Sequence, residues 1–349
     1  MSNKIKIADH LIEPNSATFI IAELSANHNQ NFDIAVKTIQ AAKESGADAI
    51  KLQTYTADTL TIDSDKSFFK IEGTLWNGKS LYQLYQEAYT PWEWQPKLKE
   101  VAESLGLVCF SSPFDRSAVD FLEKINVPAY KIASFEIVDI PLIEYVASKG
   151  KPVIISTGIA TLADIENAVQ SCKKMGNHQI ALLKCTSQYP APVEEANLNT
   201  IPNLAQTFNT VVGLSDHTME IAVPVASVAL GARIIEKHFI LDRSIGGPDA
   251  DFSLNASEFK AMVNAVRQTE KALGSVSYEL TEKTKKSRVF SRSLFAVKDI
   301  SPGEILTEEN IRSIRPGHGL SPLHYKDVIG KKATMPIEKG TPLKWENFI

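Results

Sequence analysis

The amino-acid sequence predicts a (β/α)8 barrel followed by a small C-terminal module. Short runs rich in valine and isoleucine alternate with longer amphipathic stretches through the first 274 residues. Eight strand–helix units over about 250 residues are typical of this barrel. The runs are apolar throughout, as expected for parallel strands that are covered on both faces.

Eight strands are predicted, at residues 19–24, 49–53, 107–112, 129–134, 152–157, 180–186, 211–216 and 233–239. Before them, the alternation Lys4-Ile5-Lys6-Ile7 predicts an arm of a hairpin. Helices are predicted at 33–45, 161–175 and 256–273, because a glycine follows each one at the position that favours a C-cap. Residues 54–91 interrupt the alternation of short strands and longer helices. A connection this long on a compact barrel is usually a functional lid or an insertion packed on the mouth.

The C-terminal part of the chain contains an internal repeat. Residues 300–311 realign with residues 337–348 at an offset of 37, with Gly303, Leu306 and Asn310 matching Gly340, Leu343 and Asn347. We therefore expect a barrel at 1–274, a polar linker at 275–289 and a pseudo-symmetric module at 290–349. A module of about 60 residues has a marginal core of its own, so we expect it to pack on something else.

Composition excludes several classes of protein. The net charge is −4 and there is no basic cluster, which argues against a nucleic-acid partner. No apolar run reaches the length of a membrane span, and the first residues lack the apolar core of a signal peptide. Cys109, Cys172 and Cys185 are odd in number and show no metal-binding spacing, so we expect buried free thiols in a cytoplasmic protein.

Two histidines carry the functional prediction. His217 and His238 follow predicted neighbouring strands, and residues 220–231 between them are long enough for one helix. A strand–helix–strand unit of this length makes the two strands parallel neighbours, so both imidazoles leave the barrel at the same face. Two structural histidines in the barrel wall would be the simpler alternative. The two histidines occupy matched positions at strand ends, each beside an acid or a hydroxyl, and this arrangement favours binding of one shared divalent metal ion.

Most of the predicted strands end in polar residues, at the face where barrel enzymes carry their active sites. Lys51 and Lys131 lie within or close to the ends of apolar strands, and hydroxyl side chains follow several others. Lysines and hydroxyls that converge on a mouth suit a small polyanion. Glu23 and Glu136 are placed to orient or activate water. The residues alone thus predict metal-assisted carbon–carbon or phosphate chemistry on an anionic substrate.

At these motifs the chain resembles the sialic acid synthases, which condense phosphoenolpyruvate with an amino-sugar aldehyde. The resemblance covers essentially the whole chain. The stretches that carry it are Lys51-Leu-Gln53-Thr54, Lys131-Ile-Ala-Ser134-Phe135-Glu136, Ser156-Thr157-Gly158, Cys185-Thr186-Ser187-Gln-Tyr189, Gly213-Leu-Ser215-Asp-His217, Glu236-Lys-His238, Gly247-Pro-Asp249 and, in the tail, Arg315-Pro-Gly-His-Gly319. The tail resembles the antifreeze-like (SAF) domain of that family.

The resemblance implies a role for each matched residue. Phosphoenolpyruvate would be held by Lys51, Lys131, Ser134, Ser156, Ser187 and Ser215. A divalent metal (manganese, cobalt or magnesium) would be bound by His217 and His238. The sugar would contact Gln53, Phe135, Tyr189, Asp249 and Arg315, and Glu23 and Glu136 would serve in proton transfer and water placement. The family also implies a domain-swapped homodimer, in which the tail reaches the barrel of the partner chain.

Within the family, the chain looks most like the pseudaminate-forming branch, whose acceptor is a 6-deoxy diacetamido sugar. Phe135 stands where the neuraminate branch has glycine, and a bulky ring beside the sugar suits a methyl group better than a hydroxymethyl group. Two alternatives remain. One is a neuraminate or legionaminate synthase, which differs only in the sugar. The other, from a different class, is a metal-dependent hydrolase with a binding module.

Overall fold

The structure is a computed structural model that describes residues 4–349. It divides after Gly274 into two compact units, an N-terminal barrel and a C-terminal unit that begins at Ser275. Among the described residues, no helix is both long and apolar enough to span a membrane.

The first unit is a closed barrel of eight parallel strands, as the sequence predicts. A short antiparallel hairpin precedes it. The ten strands are β1 (Ile5–Ile7), β2 (His10–Ile12), β3 (Phe19–Glu23), β4 (Ala49–Thr54), β5 (Val108–Pro113), β6 (Tyr130–Ile132), β7 (Val153–Ser156), β8 (Ile180–Cys185), β9 (Val211–Asp216) and β10 (Ile234–His238). The barrel closes where β10 pairs with β3.

The described part of the first unit contains ten α-helices, most of which cover the outside of the barrel. They are α1 (Phe32–Glu44), α2 (Ala57–Leu60), α3 (Leu81–Ala88), α4 (Gln95–Ser104), α5 (Arg116–Lys124), α6 (Ile140–Ala147), α7 (Leu162–Lys174), α8 (Thr200–Phe208), α9 (Ala222–Ala229) and α10 (Ala256–Leu273). The predicted helix starts have a local cause. Thr161 and Asp164 form a capping box at α7, and Asn255 and Glu258 form another at α10, so the first N–H groups of both helices are satisfied.

The β1–β2 hairpin closes the amino-terminal end of the barrel. Ile5, Ile7 and Ile12 are each at most 2% exposed and belong to the same apolar core as Phe19, the first residue of β3. Burying three isoleucine side chains contributes roughly 1.5–3 kcal/mol each. The hairpin therefore covers the barrel interior at the amino ends of the strands.

Residues 54–91, which we call the lid segment, contain two helices of their own. They form α2, α3 and an antiparallel bridge between Lys70 and Ser80. Capping boxes at Thr56 and Ser80 begin the two helices. The lid segment reaches across the mouth, because the indole Nε1 of Trp76 donates to the carbonyl of Pro248, in the loop after β10, at 2.9 Å.

The second unit contains α11 (Glu282–Ser287), β11 (Ser293–Ala296), β12 (Ile311–Ile314) and α12 (Tyr325–Val328). Its two repeats are structurally equivalent. Asn310 and Asn347 are both buried, and each accepts from the backbone N–H three residues earlier at 2.7 Å. Ile300 and Ile337, which are equivalent positions, pair with each other in an antiparallel bridge. The repeat in the sequence therefore corresponds to a local two-fold arrangement.

Candidate active site

A cluster of buried charges lies inside the mouth of the barrel. The Nζ of Lys51 is 2.5 Å from Glu23 and 3.8 Å from Glu236, and the Nζ of Lys131 is 3.3 Å from the same Glu236 oxygen. All four side chains are less than 10% exposed. Two ammonium groups and two carboxylates balance each other, which is the condition for keeping such charges away from water.

The surroundings of the three carboxyl groups shift their pKa values in opposite directions. Burial raises the pKa of Glu23 to about 7, because the nearby lysines offset only part of the cost of removing its charge from water. Burial also raises the pKa of Glu136 to about 7. In Glu236 the opposite holds: Lys131 and Lys51 outweigh burial and lower its pKa. Two carboxyl groups are thus poised to exchange protons near neutral pH, and a third stays ionised.

Next to the lysines, hydroxyl groups surround Gly158, which follows β7. The N–H of Gly158 donates to Ser134 Oγ at 3.1 Å. A methyl group on Gly158 would lie 2.0 Å from Ser187 Oγ and 2.7 Å from Ser134 Oγ, so only glycine fits between them. The hydroxyl of Ser156 is buried and has no hydrogen-bond partner in residues 4–349. The structure thus brings together Ser134 and Ser187, two of the serines that were predicted to hold phosphoenolpyruvate, and Ser215, another of them, donates to Glu236 at 3.1 Å.

The two histidines face each other at the rim of the barrel. Their ring centroids are 5.4 Å apart. His217 Nδ1 lies 2.8 Å from the carbonyl oxygen of Thr186, and because that oxygen only accepts, the nitrogen donates and Nε2 stays free. The Nδ1 of His238 is buried without a hydrogen-bond partner among the described residues. Burial and the neighbouring positive charges keep the pKa of His238 well below its usual value, so its imidazole is neutral.

This donor set fits a divalent metal ion that keeps open positions. Within residues 4–349, no group of three or more histidine, cysteine or acidic side chains is arranged to hold a metal. Two imidazoles leave most of the coordination sphere of such an ion to substrate and water, as in catalytic rather than structural sites. The carbonyl partner of His217 supplies the outer hydrogen bond that metal-bound histidines usually have.

An aromatic wall stands over the histidines. The ring of Tyr189 is 4.3 Å from that of His217, and the ring of Phe252 is 5.0 Å from that of His238. Trp76 of the lid segment extends this wall, at 6.1 Å from Tyr189 and 6.4 Å from Phe252. Trp76 also lines a cavity of about 540 Å³ with Asn29, Pro248 and Asp251.

The remaining predicted residues fall into two groups. Gln53 donates to Glu23 at 3.1 Å, and Asp249 lies 3.7 Å from His238 Nδ1, so both join the cluster. Phe135 is 56% exposed, in the turn after β6, and Arg315 is exposed in the second unit. For these two residues, a contact with the sugar remains a prediction.

Two further residues, which we did not assign to the site, lie among its side chains. Glu236 precedes His238 by two residues in β10, so strand alternation points both side chains inward. Cys185 ends β8, and its Sγ lies 4.0 Å from His217 Nδ1. Burial alone would raise the pKa of the Cys185 thiol, but His217 and Lys131 lower it to about 7. Alternation would have identified Glu236, whereas Cys185 looked like an ordinary buried thiol.

Comparison with known proteins agrees with this geometry. A pseudaminic acid synthase of Campylobacter jejuni is 52% identical over 95% of this chain and 96% of its own. A pseudaminic acid synthase of Helicobacter pylori is 49% identical over 94% of this chain and 97% of its own. The crystal structure of an N-acetylneuraminic acid synthetase from Leptospira borgpetersenii, in complex with citrate, superposes with a TM-score of 0.73. It is 32% identical and covers 82% of this chain and 95% of its own.

Family profiles account for both units. The SAF domain profile matches residues 291–349, within the second unit. The NeuB family profile matches residues 38–278, more than half of the chain. With full-length relatives at about half identity, the conclusion is that this chain belongs to the NeuB family.

Proposed function

We propose that this chain is a pseudaminic acid synthase, which condenses phosphoenolpyruvate with 2,4-diacetamido-2,4,6-trideoxy-L-altrose and releases phosphate. One observation carries the reaction: a buried cradle for an anion, built from Lys51, Lys131 and the hydroxyls around Gly158, lies beside a pair of histidines with a free nitrogen each. The choice of sugar is supported by the 52% identity to a pseudaminic acid synthase, against 32% to a neuraminic acid synthetase.

In the proposed reaction, a carbon–carbon bond forms between C3 of phosphoenolpyruvate and the aldehyde carbon of the sugar. When bound by His217 and His238, a divalent ion (manganese, cobalt or magnesium) supplies Lewis-acid polarisation of the aldehyde oxygen. Water then adds at C2, and phosphate leaves as the bond between C2 and its oxygen breaks. The new alkoxide gains one proton, and the attacking water loses one as it adds. The resulting C2 hydroxyl gives its remaining proton to the departing phosphate as the ketone forms.

The chain's own residues account for these protons and charges. Lys51 and Lys131 pair with the phosphate and the carboxylate in a site from which water is largely excluded, and Glu23, whose pKa is raised to about 7, gives up its charge by taking up a proton as the anion binds. Glu23 and Glu136 exchange protons near neutral pH, as the pKa of each is raised to about 7. Tyr189 and Trp76 provide an apolar wall for the sugar, with Gln53 and Asp249 as polar contacts.

The decisive experiment measures phosphate release from phosphoenolpyruvate with a panel of amino-sugar aldehydes. We expect the highest kcat/KM for the 6-deoxy diacetamido altrose. Lys131→Met should abolish turnover, whereas Lys184→Met should retain it, because Lys184 donates to the carbonyl of Cys185 and stands outside the charge cluster. An equal or higher kcat/KM for N-acetylmannosamine would contradict this proposal and indicate a neuraminate synthase. A metal-dependent hydrolase, the alternative from another class, gains no support from the NeuB match and would act without phosphoenolpyruvate.

We also propose that the second unit completes the active site of a partner chain in a homodimer. Arg315 is exposed, and so are large apolar side chains of the same unit, with Leu323 at 83% and Trp345 at 53%. Two full-length variants test this proposal. Arg315→Ala and His238→Ala should each be inactive alone, but mixed subunits would pair an intact barrel with an intact Arg315. About a quarter of the sites should recover in a random dimer. No recovery after subunit exchange would contradict it.

A further inference from the structure

A buried ion pair lies next to the two histidines, on the outer side of the barrel wall. In β9 and β10, side chains alternate between the two faces, so Ser215 and Glu236 point inward and Asp216 and Lys237 point outward. Asp216 immediately precedes His217, and Lys237 immediately precedes His238. Lys237 with Asp216 is also the last pair in the β9–β10 ladder. Beyond it, the backbone of His217 leaves the sheet.

The ion pair contacts the residues on both sides of His217. Lys237 Nζ lies 2.5 Å from Asp216 Oδ2 and also donates to the backbone carbonyl of Thr218. The Asp216 carboxylate in turn accepts from the backbone N–H of Thr218 at 3.0 Å and from its hydroxyl at 3.1 Å. The Lys237 and Asp216 side chains are 1% and 2% exposed. Strand β10, which carries one histidine, thus holds the residues before and after the other histidine.

Stability alone does not explain this arrangement. A buried ion pair usually contributes little more than an apolar pair of the same volume, since desolvation offsets the attraction between the charges. Its specific effect is geometric, because it fixes one backbone segment against another. From these contacts we infer that Asp216 and Lys237 are positioning residues, which set the separation of the two imidazoles for a divalent ion. This inference rests on the metal site of the proposed function.

Manganese binding tests the inference without relying on turnover. Titration of the full-length protein with Mn²⁺, with free Mn²⁺ followed by its paramagnetic resonance signal, gives a Kd for each variant. Because outer groups that orient metal ligands typically change affinity by 10–100-fold, we expect a weakening of that size for Lys237→Met. The double variant Asp216→Leu/Lys237→Met leaves no unpaired charge, so it should fold and show the same loss. Lys237→Arg should retain more of the affinity.

Arg267→Met is the matched control. Arg267 pairs with Asp48 at 2.9 Å, ahead of β4 and therefore at the opposite end of the barrel. This control should lower the melting temperature while leaving the Mn²⁺ Kd unchanged. If the unmodified protein binds Mn²⁺ and the double variant binds it equally well, the positioning role is wrong although the metal site stands. If the unmodified protein binds no Mn²⁺, both the metal site and this inference are wrong.

Discussion

Trp76 gives the sharpest test of how the lid segment works. The indole donates one hydrogen bond to Pro248 at 2.9 Å, which is worth about 1 kcal/mol. Its two aromatic contacts, at 6.1 Å and 6.4 Å, contribute about 0.5 kcal/mol each. Trp76→Phe removes the hydrogen bond and should lower kcat/KM for the sugar about fivefold. Trp76→Ala removes all three interactions, or about 2 kcal/mol, which corresponds to roughly thirtyfold.

The assay is steady-state phosphate release with the acceptor sugar varied at saturating phosphoenolpyruvate. The KM for phosphoenolpyruvate should stay unchanged, because its lysines lie below the aromatic wall. Phe68→Ala is the control within the same lid segment, since Phe68 is 87% exposed and should leave the kinetics unaltered. Parental kcat/KM in Trp76→Ala, or an equal loss in Phe68→Ala, would show that the lid does not act through this contact.

Three further outcomes are expected. Exhaustive chelation should abolish turnover, and Mn²⁺ should restore it. At the same Mn²⁺ concentration, His217→Ala and His238→Ala should stay inactive. Full activity of either variant after chelation would exclude a metal role. Glu136→Gln should raise the free energy of unfolding by about 1–3 kcal/mol at pH 8 and by much less at pH 5. The reason is that the folded pKa is about 7 and the ordinary value 4.5, so the parent loses stability as pH rises between them; equal melting temperatures at pH 8 would count against it. Phe135→Gly should narrow the preference for the 6-deoxy acceptor over N-acetylmannosamine, as measured by the ratio of kcat/KM values, and an unchanged ratio would remove Phe135 from the site.

The fold could be predicted almost completely from the sequence, because its signals are local. The predicted strand at 211–216 and the observed β9 have the same bounds, and the predicted helix at 256–273 coincides with α10. The prediction for β6 was less accurate. Residues 129–134 were expected in the strand, but β6 ends at Ile132 and a 3-10 turn begins at Ser134. In that turn the alternation of a strand no longer applies, so the position of Phe135 could not be inferred from its neighbours.

The pairing within the site could not be predicted, because it crosses the barrel. Lys131 on β6 contacts Glu236 on β10, although β3, β4 and β5 stand between these strands in the wall. Strand alternation indicates which side chains face inward, but which inward charges meet depends on the diameter and stagger of the closed barrel. The lid contact of Trp76 with Pro248 could not be predicted either, because it joins residues that are 172 positions apart in the sequence.

The hairpin of β1 and β2 covers one end of the barrel and leaves the mouth at the other end as the way in. Ile5, Ile7 and Ile12 cover its amino-terminal end, so we expect substrates to reach the buried lysines from the mouth, where the aromatic wall stands. Lys51 lies within β4, whereas His217 lies beyond the end of β9. If phosphoenolpyruvate binds at the lysines and the sugar binds at the histidines, a sugar that bound first would obstruct access to the lysines. We therefore expect phosphoenolpyruvate to bind before the sugar, and phosphate to leave after the nonulosonic acid.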